Sequence, residues 1–109
     1  AHVERLYKEE KLYDRLLVYV LNSPGLYALQ EYEKVLKKDY PEQILNKYKD
    51  EVSKMAIYTS DRKNYAHMVS LLRKMQQMKG GSKVVEQIAA EWKVKYRNRP
   101  AMMDELRKL

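Results

Sequence analysis

Five basic side chains carry the clearest chemistry in this sequence: Arg62, Lys63, Arg73, Arg97 and Arg99. A guanidinium presents a planar fork of donors that fits a carboxylate or a phosphate, and an ammonium adds a point charge. Arg62 and Arg73 stand eleven residues apart, close to three helical turns, so they share one helix face. Arg97 and Arg99 flank the joint before Pro100, with Lys93 and Lys95 just ahead of them. A lysine near a helix carboxyl end gains up to about 1 kcal/mol from the helix dipole, which is reason enough for Lys93 and Lys95. Arg97 and Arg99 remain to pair with Asp104 or Glu105 or to meet an external anion. These five residues define the expected binding surface.

Other reactive types are arranged less productively. The chain has two histidines, His2 and His67, and nothing in its spacing puts a carboxylate beside His67 as a metal would need. The carboxylate pairs Glu9-Glu10, Asp50-Glu51 and Asp104-Glu105 are adjacent in sequence. Neighbours on a helix point apart, so they cannot share a pocket as acid and base. Gly80-Gly81-Ser82 precedes a helical stretch but lacks the Lys-Ser ending of a phosphate loop, and reads as a turn. With no cysteine there is no thiolate metal site, disulfide or cysteine nucleophile. The expectation is a non-enzymatic chain with no metal and no cofactor.

Positioning those five cations requires helices. Apolar residues recur at three and four throughout, and no segment alternates with period two. A first helix is expected over 3–21, with Leu6, Leu12, Tyr13, Leu16, Leu17, Val20 and Leu21 inward and Val18 and Tyr19 widening the stripe. Ser23 is expected to cap a second helix over 25–39, with Pro24 in its first turn. Pro41 should open a third, to Thr59, carrying Ile44, Leu45, Tyr48, Val52, Met55 and Ala56. Asp61 or Ser60 should cap a fourth, to Met78, with Tyr65, Met68, Val69, Leu72 and Met75 inward. Gly80-Gly81 ends it, Ser82 is expected to cap a fifth helix, to Tyr96, and Pro100 to open a short sixth. Leu36-Lys37-Lys38-Asp39-Tyr40 and Trp92-Lys93-Val94-Lys95-Tyr96 both precede a proline-opened helix, a faint internal repeat. The fold expected is all-α: five to six antiparallel helices stacked as helical hairpins, as an α-solenoid of tetratricopeptide type or an irregular bundle.

The chain is short enough for one domain: 109 residues, with 22 Lys or Arg against 15 Asp or Glu and a net charge of +7. The excess is one-sided. Residues 1–61 hold ten basic and eleven acidic side chains, and residues 62–109 hold twelve and four. Such a distribution steers anionic partners toward one end. No apolar run is long enough for a membrane span and no leader pattern is visible, so a cytoplasmic location is expected. Ala1 in place of Met reads as a piece of a longer protein.

Several stretches are similar to a known family. Leu12-Tyr13-Asp14-Arg15-Leu16-Leu17, Leu36 to Leu45, Asp61-Arg62-Lys63-Asn64-Tyr65, Leu71-Leu72-Arg73-Lys74 and Tyr96 to Leu106 together resemble the helical region of bacterial SWIM zinc-finger-associated proteins. The resemblance spans 12–109. The family's Arg-Lys-x-Tyr stretch falls on Arg62, Lys63 and Tyr65, and its Arg-Pro-Ala joint on Arg99, Pro100 and Ala101. It implies a tetratricopeptide-like helical region carried beside a Cys/His zinc module that contacts DNA or protein. The zinc ligands are absent from this chain. The function expected is protein-protein interaction or scaffolding, with another protein or the rest of a parent chain as partner. Pairing of two copies through an exposed end face is a further expectation. Accessory nucleic-acid binding through the basic C-terminal half is the alternative.

Overall fold

In the computed structural model, which describes residues 3–109, the chain is all-α. The described residues form seven helices and no strand: α1 (Val3–Glu9), α2 (Tyr13–Asn22), α3 (Tyr27–Leu36), α4 (Pro41–Tyr58), α5 (Arg62–Gln76), α6 (Gly81–Lys95) and α7 (Pro100–Leu106). Seven exceeds the five to six expected because the first predicted helix is two. Lys11 breaks it by adopting a left-handed backbone, φ 56°. Around it, the Lys11 N–H bonds the Lys8 carbonyl at 3.1 Å and the Leu12 N–H bonds the Tyr7 carbonyl at 2.7 Å. This pair of bonds is the Schellman closure of a helix, a place usually given to glycine. A side chain there is strained by roughly 1 kcal/mol. Lys11→Gly is therefore expected to raise stability by about 0.5 kcal/mol once the extra freedom of glycine in the unfolded chain is counted. A shift of the urea midpoint to higher concentration checks it.

The chain divides into two compact units, Ala1–Lys47 and Tyr48–Leu109. In the first, α2 packs on α1 and on α3. Leu16, Leu17 and Val20 of α2 meet Ala28, Leu29, Tyr32 and Leu36 of α3 in its core. Val18 and Tyr19, expected to widen the buried stripe, are exposed, and α1 buries no residue. Ser23 also departs from expectation. It does not cap α3; its N–H and hydroxyl both return to the Tyr19 carbonyl and close α2. Pro24 and Gly25 stay outside any helix, and α3 starts at Tyr27 with no side-chain cap. Lys47, a buried residue in the second turn of α4, donates from its ammonium to the Ser23 carbonyl at 2.7 Å.

The second unit is built on α5, which packs against both α6 and α7. Asp61 caps α5 as expected: one carboxylate oxygen accepts from the Asn64 N–H and the other from its side-chain amide, each at 2.9 Å. Tyr65, Met68, Val69, Leu72 and Met75 are buried at the foreseen spacing, and Leu71 joins them. Tyr48, Val52 and Ala56 of α4, Val85, Ile88 and Trp92 of α6, and Met102 and Leu106 of α7 complete the core. Ser82 does not cap α6. Gly80 holds that position with a left-handed backbone, φ 77°, and Gly81 already lies in the helix. Pro41 and Pro100 open α4 and α7, so both proline joints occur where the repeat placed them. Met102 is buried and Met103 half-buried, so the late methionines pack rather than line an open groove.

Candidate functional site

The five expected binding residues separate into two kinds. Arg62 reaches across to α7, with Nη2 3.2 Å from the Asp104 carboxylate and Nη1 3.5 Å from that of Glu105. Arg73, on the same face of α5, donates to the Lys108 carbonyl at 2.8 Å. The shared face read from their spacing is real, and it carries α7. Arg99 donates from Nη1 to the Ala56 carbonyl at 2.7 Å. Lys63 and Arg97 are exposed and make no ion pair or hydrogen bond among the described residues. The pairing foreseen for Arg97 and Arg99 with Asp104 or Glu105 is made instead by Arg62, Arg107 and Lys108. Glu105 is almost wholly buried, and its neutralisation by two cations is what makes that burial tolerable.

Arg99 is the most thoroughly positioned of the five. Trp92, buried on α6, meets the Tyr96 ring edge-on, with centroids 6.3 Å apart and planes at 69°. The Arg99 guanidinium lies over the other side chain of this ladder, 4.4 Å from the Tyr96 centroid. Its bond to Ala56 satisfies a carbonyl in the last turn of α4, one of those no helical N–H can reach. The Tyr65 hydroxyl donates to the Thr59 carbonyl at 3.0 Å, holding the next turn. The α4–α5 turn is thus pinned at two carbonyls by side chains from elsewhere in the unit.

An open cleft of about 360 Å³ results, lined by Ile57, Tyr58, Thr59, Ser60, Tyr65, Arg99, Pro100 and Ala101. Ile57 and Tyr58 stand largely in solvent, Tyr58 at 85 % of its full exposure. A guanidinium has five N–H donors. Only the bond to Ala56 is made by that of Arg99 among the described residues. The cleft therefore combines apolar walls with a fixed cation that keeps hydrogen-bonding capacity in reserve. The spacing of Arg99 three residues after Tyr96 was a usable signal for the stacking. Nothing local announced Ala56, 43 residues away.

A second cleft, of about 370 Å³, lies in the first unit between Arg5, Lys8 and Glu9 of α1 and Glu31 and Tyr32 of α3. Burial raises the Tyr32 phenol above its ordinary value of 10.0, helped by Glu31, Glu4 and Tyr19 and opposed by Arg5. The unfolded chain then ionises first as pH climbs, so the native state holds the extra proton. Stability is complete below the unfolded value and falls as pH rises above about 10. Urea midpoints measured across that range should decline more steeply for the parent chain than for Tyr32→Phe.

Among the described residues no three His, Asp or Glu side chains form a group that could hold a metal, and His67 is exposed. His2 lies outside the described residues. No helix among them is long and apolar enough to cross a membrane. Comparison of the chain with protein-family models, with curated proteins and with solved structures finds no match in any of the three.

Proposed function

We propose that this chain is a non-enzymatic helical interaction module that binds another protein, as the helical part of a longer cytoplasmic chain of the kind its resemblance to SWIM-associated proteins suggests. One observation carries the reading: Ile57 and Tyr58 stand in solvent beside a half-buried arginine held on two sides. Apolar and aromatic anchors next to a fixed arginine are the make-up of protein-binding hot spots. The test is affinity capture from native cytoplasm with this chain and the full-length parent side by side. Shared partners locate the interaction in these helices. A parent that keeps partners which this chain lacks overturns the reading.

Accessory nucleic-acid binding is the second reading, supported by charge. The second unit holds fourteen basic and seven acidic residues, while the first is balanced at eight and eight. Lys63, Lys83, Lys93 and Arg97 are exposed and make no ion pair among the described residues. Against it, Lys54, Arg62, Arg107 and Lys108 are already paired with carboxylates, and Glu86 and Glu91 interrupt the cations of α6. A phosphate-tracking surface loses affinity steeply with salt. No binding to generic duplex at low salt, or a log–log salt slope near zero, ends this reading.

A further inference from the structure

We propose that the cleft at the α4–α5 turn binds a short acidic segment of a partner protein, one carboxylate on Arg99 and a neighbouring apolar side chain against Ile57, Tyr58 and Pro100. The inference rests on the protein-binding reading above and names the chemistry of its partner.

Charge complementarity selects this occupant. The whole net charge of +7 lies in the second unit. The carboxylates at this end are already engaged. Both Asp61 oxygens accept from Asn64, and Asp104 and Glu105 are held by Arg62, Arg107 and Lys108. Arg99, Arg97 and Lys63 have no carboxylate of this chain, among the described residues, to neutralise them. Arg99 is also prepared for the task. Tyr96 fixes the plane of its guanidinium and the Ala56 carbonyl fixes one edge, so little side-chain freedom is lost when a carboxylate takes the remaining donors.

The occupant needs an apolar residue as well as an acid. Ile57, Tyr58, Pro100 and Ala101 supply the apolar part of the lining, and Thr59, Ser60 and Arg99 the polar part. An isolated anion would use the arginine and leave the apolar part in water. A peptide that places a leucine between acids uses both. Tyr58, exposed on the rim, is the residue whose change disturbs the occupant without disturbing the fold.

The experiment is an amide NMR titration of the whole 109-residue chain. The probes are acetyl-Asp-Glu-Leu-Asp-Glu-amide, its neutral counterpart acetyl-Asn-Gln-Leu-Asn-Gln-amide, and inorganic phosphate. Saturable shifts are expected for Ile57, Tyr58, Thr59, Ser60, Arg99 and Ala101 with the acidic peptide, and binding at least about tenfold weaker for the neutral one. Tyr58→Glu and Arg99→Gln should each weaken the acidic peptide by about fivefold or more. If Arg99→Gln fails to fold, Tyr58→Glu decides alone. Equal binding of the neutral peptide overturns the proposal. So do phosphate binding as tight as that of the acidic peptide, shifts centred on Lys83 and Lys93, and unchanged affinity in Tyr58→Glu. Failure here with captured partners retained removes the cleft assignment alone, whereas loss of the shared partners removes the interaction module itself.

Discussion

Trp92→Ala is expected to cost about 3–5 kcal/mol, the largest loss available from a single side chain in this protein. Trp92 is 3 % exposed and fills the second unit from α6. Its removal deletes the largest buried side chain type and leaves a cavity that the surrounding helices close only in part. Domains of this size are stable by roughly 5–15 kcal/mol, so the variant should sit near the edge of folding at room temperature. The loss also reaches the cleft. Tyr96 rests against Trp92, and Arg99 rests on Tyr96. Without the indole, the support under the guanidinium is gone. Urea unfolding followed by far-ultraviolet circular dichroism measures the effect, since the chain has no other tryptophan to report by fluorescence. A cost below about 1 kcal/mol would show that α6 does not pack through Trp92.

The second large effect is expected at Gly81. A methyl group built there runs into the backbone carbonyl of Met75, the last full turn of α5 before the joint. Backbone cannot swing aside as a side chain can, so Gly81→Ala must push α6 away from α5 or distort the joint. About 3 kcal/mol is expected, the upper end of overpacking costs. Gly80 is the control. Its surroundings are open, but its φ of 77° lies in the left-handed region. Gly80→Ala should therefore cost only the backbone strain, about 1 kcal/mol. Thermal midpoints of the two variants measured together separate contact from conformation, and equal losses would remove the close approach as the reason for glycine at 81.

Most helices were legible because burial acts through period. Leu16, Tyr48, Leu72 and Trp92 fall on stripes with spacings of three and four, and all four are buried. Pro41, Pro100 and Asp61 mark helix starts by chemistry that depends on one residue alone, a fixed φ or a capping oxygen. What escaped the sequence was set by choices between neighbours. A serine before Pro24 can close the helix behind it or cap the one ahead, and Ser23 closes α2. Lys11 sits where glycine is usual, so a charged run read as continuous helix conceals a break. Ser82 was eligible as a cap, but the left-handed turn at Gly80 starts α6 before it.

The candidate site was legible in residue type and hidden in role. The spacing of Arg62 and Arg73 gave their shared face, but not that α7 would lie on it, because Glu105 and Lys108 are reached only through the fold. Likewise Arg97 and Arg99 look alike in sequence, two residues apart at the same joint. Structure makes one a stacked, hydrogen-bonded group and leaves the other in solvent. Ile57 and Tyr58 follow the buried stripe that ends at Ala56 but do not fall on its spacing of three and four; at about 100° per residue they turn off the inward face of α4, which is why both are exposed.

That division between Arg99 and Arg97 is the claim on which the cleft stands, and denaturant unfolding of Arg99→Gln beside Arg97→Gln tests it most directly. A charged donor on a helix-end carbonyl is worth about 2 kcal/mol, and an exposed cation without a partner contributes within about 0.5 kcal/mol of nothing. The account predicts that Arg99→Gln loses about 2 kcal/mol while Arg97→Gln is indistinguishable from the parent chain. Equal effects in the two variants, or a larger one at Arg97, would contradict it.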